Sequence, residues 1–163
     1  MAVHAATRKQ NPTFATLHHA FFMRREIRKL CEREFGYKFK PRKTETPEQE
    51  ERRRRYERRE LDKEIDCVTE VLRSITTHIN LANAIYPQIW AEYAERRLHQ
   101  TLAVAECSRL SAELQFAIED FNTDVNQFIP IDALIQKQIK LLKGWRQSDN
   151  RMANKLRDTP AKE

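Results

Sequence analysis

Glycine is almost missing from this 163-residue chain, which holds two glycines and six prolines. Sheets need many tight turns, and tight turns draw on Gly, Pro and Asn. A chain so poor in turn formers has room for a few long helices and little else. Long hydrophobic runs are lacking as well. No apolar run approaches the roughly 18 residues that span a bilayer, and residues 1–11 are basic without the apolar stretch of a secretory signal. This pattern predicts a protein with no membrane role. The three cysteines, Cys31, Cys67 and Cys107, are odd in number, far apart and outside any CxxC or CxxH pair. Reduced thiols in a cytoplasmic compartment are the expected state. The chain also lacks HExxH, a phosphate loop, GxGxxG and GxSxG. No cofactor, no metal and no catalytic residue is therefore expected.

What is present is charge, on good helix formers: a third of the residues are Asp, Glu, Lys or Arg. The expected fold is all-α, an antiparallel bundle of about four helices, with long second and third helices and a basic N-terminal helix and strap. Asn11-Pro12 opens the first helix, over residues 12–35. Its apolar positions are Phe14, Leu17, Ala20, Phe21, Met23, Ile27, Leu30 and Cys31, and Gly36 supplies a left-handed stop. Residues 37–43 alternate aromatic and basic side chains around Pro41 and read as an extended strap. Thr46-Pro47-Glu48-Gln49 is a capping box with proline in the first helical position, opening a second helix over 47–83. Its first turns are almost wholly charged, with i,i+4 pairs such as Glu50–Arg54 and Glu51–Arg55, and would project from the body. From Leu61 a heptad seam runs through Ile65, Val68, Leu72, Ile75, Ile79 and Ala82 and calls for a partner helix.

A third helix is expected over 87–121. Its first apolar stripe is Ile89, Trp90, Tyr93, Leu98 and Leu102; its second is Ala103, Cys107, Leu110, Leu114, Ala117 and Phe121. Ala105, Ser108 and Ala112 would allow close helix approach, and Trp90 and Trp145 read as core aromatics. A fourth helix opens near Pro130 and buries Ile131, Leu134, Ile135, Ile139, Leu142, Trp145, Met152 and Leu156, with Gly144 marking a close crossing or kink.

The net charge of +6 is unevenly spread. Residues 1–60 hold 17 Lys and Arg against 9 Asp and Glu, or +8; residues 61–163 hold 13 against 15, or −2. The chain thus divides into a basic N-terminal segment, 1–60, and a bundle core, 61–163. The basic segment is the expected nucleic-acid site: Arg24, Arg25, Arg28, Lys29, Lys38, Lys40, Arg42, Lys43, Arg52, Arg53, Arg54, Arg55, Arg58 and Arg59 to neutralise RNA or DNA phosphates, and Tyr37 and Phe39 to stack on unpaired bases.

One stretch adds a family resemblance. Leu102-Ala103-Val104-Ala105-Glu106-Cys107-Ser108, then Glu113-Leu114, then Leu141-Leu142-Lys143-Gly144-Trp145 resemble the four-helix-bundle proteins that include 23S rRNA intervening-sequence proteins and accessory proteins of diversity-generating retroelements. The resemblance covers residues 84–150. It implies a basic bundle that oligomerises into a ring, binds nucleic acid and contacts a reverse transcriptase. Two further readings stand beside it. In one, the long seams mediate assembly with a protein partner or further copies of the chain, as in a viral or phage particle or a secretion apparatus. In the other, Arg73 and His78 form the Arg-x4-His pair of HEPN-like ribonucleases.

Overall fold

The computed structural model describes residues 12–157 and, among them, four helices and no strand. They are α1 (Pro12–Glu32), α2 (Pro47–Ala84), α3 (Trp90–Phe121) and α4 (Ile129–Arg157). Short 3-10 turns at Glu34–Gly36 and Val125–Gln127 lie between helices. Each helix runs antiparallel to its two neighbours. α2 packs on α3, α3 on α4, α4 on α1 and α1 on α2, which closes a ring of four. The basic first helix is therefore part of the core: Met23, Ile27, Leu30 and Cys31 are buried with the seams of the other three.

The capping box at Thr46 forms as its sequence demands. Thr46 Oγ1 accepts from the Gln49 amide at 3.3 Å, and Gln49 Oε1 accepts from the Thr46 amide at 3.0 Å. The α2 seam is buried at Leu61, Val68, Leu72, Ile75, Ile79 and Ala82, with Ile65 half-buried.

α3 departs from expectation. It begins at Trp90 rather than Pro87, so Ile89 and Trp90 sit at an open end and are 59% and 45% exposed. Trp90 is no core residue: the Arg157 guanidinium lies 5.0 Å from its ring. Leu98 is also exposed, because the buried face runs elsewhere, through Tyr93, Arg96, Gln100, Ala103, Cys107, Leu110, Leu114, Ala117 and Phe121. That is one unbroken 3-4 seam containing an arginine and a glutamine. Ala105, Ser108 and Ala112 face solvent, so the small residues at the helix contact are Ala103, Cys107 and Ala117.

Two polar ties replace hydrophobic contacts inside the ring. Arg96 Nε and Nη2 donate to the two Asp149 carboxylate oxygens at 2.7 and 3.1 Å, and Gln100 Nε2 donates to Asp149 at 2.7 Å. Arg96 Nη1 donates to the carbonyls of Ile85 at 2.9 Å and Ala82 at 3.3 Å, groups that a helix end leaves without partners. Between α1 and α4, His19 Nδ1 lies 2.7 Å from Gln138 Oε1, and Gln138 Nε2 donates to the Thr16 carbonyl. Burial holds the His19 imidazole below its ordinary pKa.

α1 stops three residues short of the expected end. Glu34, Phe35 and Gly36 all take positive φ (53°, 53° and 74°). The turn swings Phe35 into the core, fully buried and 6.2 Å from the Phe128 ring. Burying a phenylalanine is worth about 1.5–3 kcal/mol, which offsets much of a left-handed penalty of about 1–2 kcal/mol at each of Glu34 and Phe35. On α1 itself, Phe14 and Phe21 are exposed rather than buried, because the inward stripe is Thr16, Ala20, Met23, Ile27 and Leu30. Gly144 lies on the exposed face of α4 with nothing within 4 Å of where a Cβ would stand, so it marks no close crossing.

The two glycines therefore respond oppositely to alanine. Gly36→Ala forces an L side chain into positive φ and drives its Cβ against the Gln127 amide; a loss of about 1–2 kcal/mol is expected. Gly144→Ala is expected to add about 0.8–1 kcal/mol. Urea unfolding of the two variants reads both signs. For the buried ion pair, Arg96→Met alone should cost about 3–5 kcal/mol, because Asp149 is left buried and uncompensated. Adding Asp149→Leu should recover much of that loss in the same assay.

Candidate nucleic-acid interface

The strap between α1 and α2 does not hang free. It folds back along the first turns of α2, so the charged start of that helix is clad on one side instead of projecting bare. Arg53 is the clamp. Its guanidinium donates to both Glu45 carboxylate oxygens, to Glu57 Oε1 at 2.8 Å and to the Lys40 carbonyl at 2.9 Å. Phe39 is held between two arginines, with Arg53 4.3 Å and Arg54 4.4 Å from its ring centroid. The Tyr37 hydroxyl donates to Glu57, and its ring meets Phe121 edge-on at 5.9 Å. Arg58 reaches back to Glu34 at 2.6 Å.

The electrostatics of the clamp agree with its geometry. Burial and the Glu57 carboxylate push the Tyr37 phenol up to about 12. Burial would raise Glu57 too, but the Tyr37 hydroxyl and Arg53 outweigh it and hold the carboxyl below its usual range. The hydrogen bonds from Arg53 likewise hold Glu45 low.

Several residues of the expected site are thus committed to the fold. Tyr37 and Phe39 do not offer free faces to bases, since their rings are already packed on Phe121 and between two guanidiniums. Arg53 is half-buried rather than surface-exposed. Arg24 is half-buried and donates to Thr76 Oγ1 at 3.3 Å, while Arg28 and Lys29 pair with Glu32 and Glu26 along α1. Arg54 and Arg55 pair one turn back with Glu50 and Glu51, and Arg42 lies 3.8 Å from Glu45. Among the described cations of the segment, Arg25, Arg33, Lys38, Lys40, Lys43 and Arg52 are exposed without a carboxylate partner.

One cluster gathers on a single face despite this pairing, with Arg52 unpaired, Arg55 bound to Glu51 and Arg59 3.6 Å from Glu60. Arg52, Arg55, Tyr56 and Arg59 share a face of α2, at i, i+3, i+4 and i+7, and line a groove with Pro47, Glu48 and Glu51. On its other side Tyr56 borders a cleft of about 540 Å³ whose lining includes Lys38, Lys40, Arg42 and Arg53 together with Glu57, Glu60 and Asp120. Its ring is 56% exposed, with the Arg59 guanidinium 5.6 Å from the centroid. The sequence reading passed over Tyr56. The available signal was its position one turn from both Arg52 and Arg59 on a helix.

The remaining chemistry lies apart from this groove. Arg73 and His78 are five residues apart on a continuous helix, about 140° around its axis. Arg73 is exposed, while His78 turns inward with its Nδ1 3.1 Å from His99 Nδ1. Among the described residues no group of three or more His, Cys, Asp or Glu could hold a metal, and no helix is long and apolar enough to cross a membrane. Cys31 and Cys107 are buried, and burial pushes both thiols up to about 12. No known family, no curated protein and no solved structure matches the chain.

Glu64 is buried on α2 with Oε1 lacking a hydrogen-bond partner. Burial, then the Glu113 and Asp120 carboxylates, push its pKa from 4.5 to about 7. A folded-state pKa above the unfolded value means that the folded chain binds the proton more tightly, so stability falls as pH rises from 4.5 to about 7. Glu64→Gln should therefore raise the melting temperature at pH 8 and leave it nearly unchanged at pH 4. Thermal melts at the two pH values check the sign.

Proposed function

We propose that this protein is a non-enzymatic accessory subunit that binds RNA or DNA through the strap and the first turns of α2, with Tyr56 as the stacking platform. The observation that carries the reading is the placement of Tyr56: an exposed ring flanked by Arg52, Arg55 and Arg59 on its own helix and by Lys38, Lys40 and Arg42 of the strap. Proteins that hold single strands combine a cationic track along the phosphates with aromatic faces for the bases. The Arg53 clamp holds both parts of that track on one rigid support, so little conformational entropy is lost on binding. Lys38, Lys40, Lys43 and Arg52, which have no carboxylate partner, are the cations best able to exchange counterions for phosphates. An accessory role within a larger cytoplasmic complex, as the four-helix-bundle resemblance implies, belongs to the same proposal.

The assembly reading has its own support at the opposite end of the molecule. Tyr86, Ile89 and Trp90, 79%, 59% and 45% exposed, gather around the α2–α3 connection. They suit contact with a protein partner or a second copy. The two readings are compatible, since the apolar end and the cationic groove use different residues.

The test separates phosphate contacts from stacking and leaves Arg53 intact. Replacing Arg52, Arg55 and Arg59 with Gln should reduce the log-log salt slope of single-strand affinity by about 2, at roughly 0.7 per phosphate contact. Tyr56→Ala should weaken single strands by about 1–3 kcal/mol and spare duplexes, which present no free base face. An unchanged slope together with an inert Tyr56 would overturn the proposal and leave assembly as the function.

A further inference from the structure

Charge counted along the sequence and charge left free by the fold point to different helices. The arginine run of α2 is largely balanced: residues 47–60 carry six arginines and five glutamates, and most of these pair. α4 is the opposite. Residues 129–157 hold seven Lys and Arg against two aspartates, and Asp149 is turned inward to Arg96. Lys137, Lys140, Lys143 and Arg151 are all exposed, and none has a carboxylate partner among the described residues.

Lys137, Lys140 and Arg151 fall on one outer stripe of the helix, where positions 137, 140, 144, 147 and 151 repeat at 3-4 spacing, and Lys143 is exposed beside it. From Lys137 to Arg151 the stripe is about 21 Å long at 1.5 Å per residue. At its centre is Gly144, exposed, with open space where a Cβ would stand. A mid-helix glycine is unfavourable for the helix, and no packing neighbour accounts for it here. Glycine does, however, let a bound backbone come close to the chain. Around it Leu141 and Trp145 join Lys137 and Lys140 in lining a shallow groove.

We infer that the outer face of α4 is a second phosphate-binding surface for nucleic acid, separate from the Tyr56 groove. The inference rests on the nucleic-acid reading above. α2 and α4 occupy opposite corners of the ring, each packed on α1 and α3. Their outer faces look in opposite directions, so one molecule contacts two nucleic-acid segments at once. The phosphate backbone is favoured over an apolar partner because Lys137 and Lys140 line the groove, and Lys143 and Arg151 add unpaired charge elsewhere on the outer surface of the same helix. Burying them against an uncharged surface would strip their hydration without compensation.

The experiment uses the full chain and two short duplexes carrying different fluorophores, with bridging read by energy transfer between them and affinity read by salt titration on one. The wild type should bridge. Replacing Lys137, Lys140, Lys143 and Arg151 with Gln should abolish bridging and lower the salt slope by about 3–4 units, at roughly 0.9 per contact. Binding through the Arg52–Arg55–Arg59 groove should persist. Gly144→Glu places a carboxylate in the stripe without disturbing the core; it too should abolish bridging while leaving the melting temperature at or above that of the wild type. Bridging that survives either change would overturn the inference, as would wild-type binding to phosphatidylserine vesicles but to neither duplex. If the α2 replacements abolish all binding and the α4 replacements none, this inference fails and the Tyr56 reading stands. If the reverse holds, the Tyr56 reading fails and α4 remains as the nucleic-acid surface.

Discussion

The buried pair of Arg96 and Asp149 fixes the relation of three helices. One guanidinium spends its donors on the Asp149 carboxylate of α4 and on the Ala82 and Ile85 carbonyls at the C-terminal end of α2. A lone buried charge is unaffordable in a protein interior, and a pair is tolerable only when its remaining hydrogen-bonding groups are met. Here Gln100 donates to Asp149, and the Trp145 ring lies 5.0 Å from the Arg96 guanidinium. The carbonyls that end α2 are met by a side chain from the next helix, so α2 can close without a glycine cap. The rotation of α4 follows as well. With Asp149 and Gln138 both obliged to point inward, its lysines must point out.

A similar constraint governs the other pole of the molecule. Phe35 enters the core through consecutive left-handed residues, which reverses the chain and returns the strap toward α2. Arg53 then ties strap to helix through Glu45, Glu57 and the Lys40 carbonyl. Exposed ion pairs contribute little singly, but Arg53 and its two glutamates are half-buried and mutually oriented. The result is a rigid ledge. Tyr37 and Phe39 build it, and Tyr56 stands at its edge. An aromatic residue in a basic stretch can thus be either mortar or recognition surface, and its own sequence neighbours do not decide between the two.

The cations divide in the same way. Six arginines in fourteen residues dominate the sequence, yet α2 neutralises most of them within one turn. The four cations of α4 are spread through a region whose total charge is slightly negative, and so they do not stand out in a running count. The acids that offset them in that count lie mainly on α2 and α3, and one of α4's own two is consumed by Arg96. Net charge per segment is a sum over residues. The potential that a phosphate meets depends on which charges share a face and which are already paired.

What the sequence determined by itself was local. The four helices, the Thr46 capping box and the Leu61 seam depend on residues within a few positions of one another, and hydrogen bonds of helical range enforce them. The buried face of α3 was harder to read. Arg96 and Gln100 occupy seam positions, and a pattern of apolar residues breaks where the partners of polar ones are not known. Those partners lie far along the chain: Asp149 is 53 residues from Arg96, and Gln138 is 119 from His19. Only the tertiary structure decided that Tyr37 and Phe39 are used up in packing, that Tyr56 is exposed, and that α4 as well as the strap carries unpaired positive charge. Each of these outcomes depends on contacts between helices, where a side chain's role is set by what another segment places opposite it.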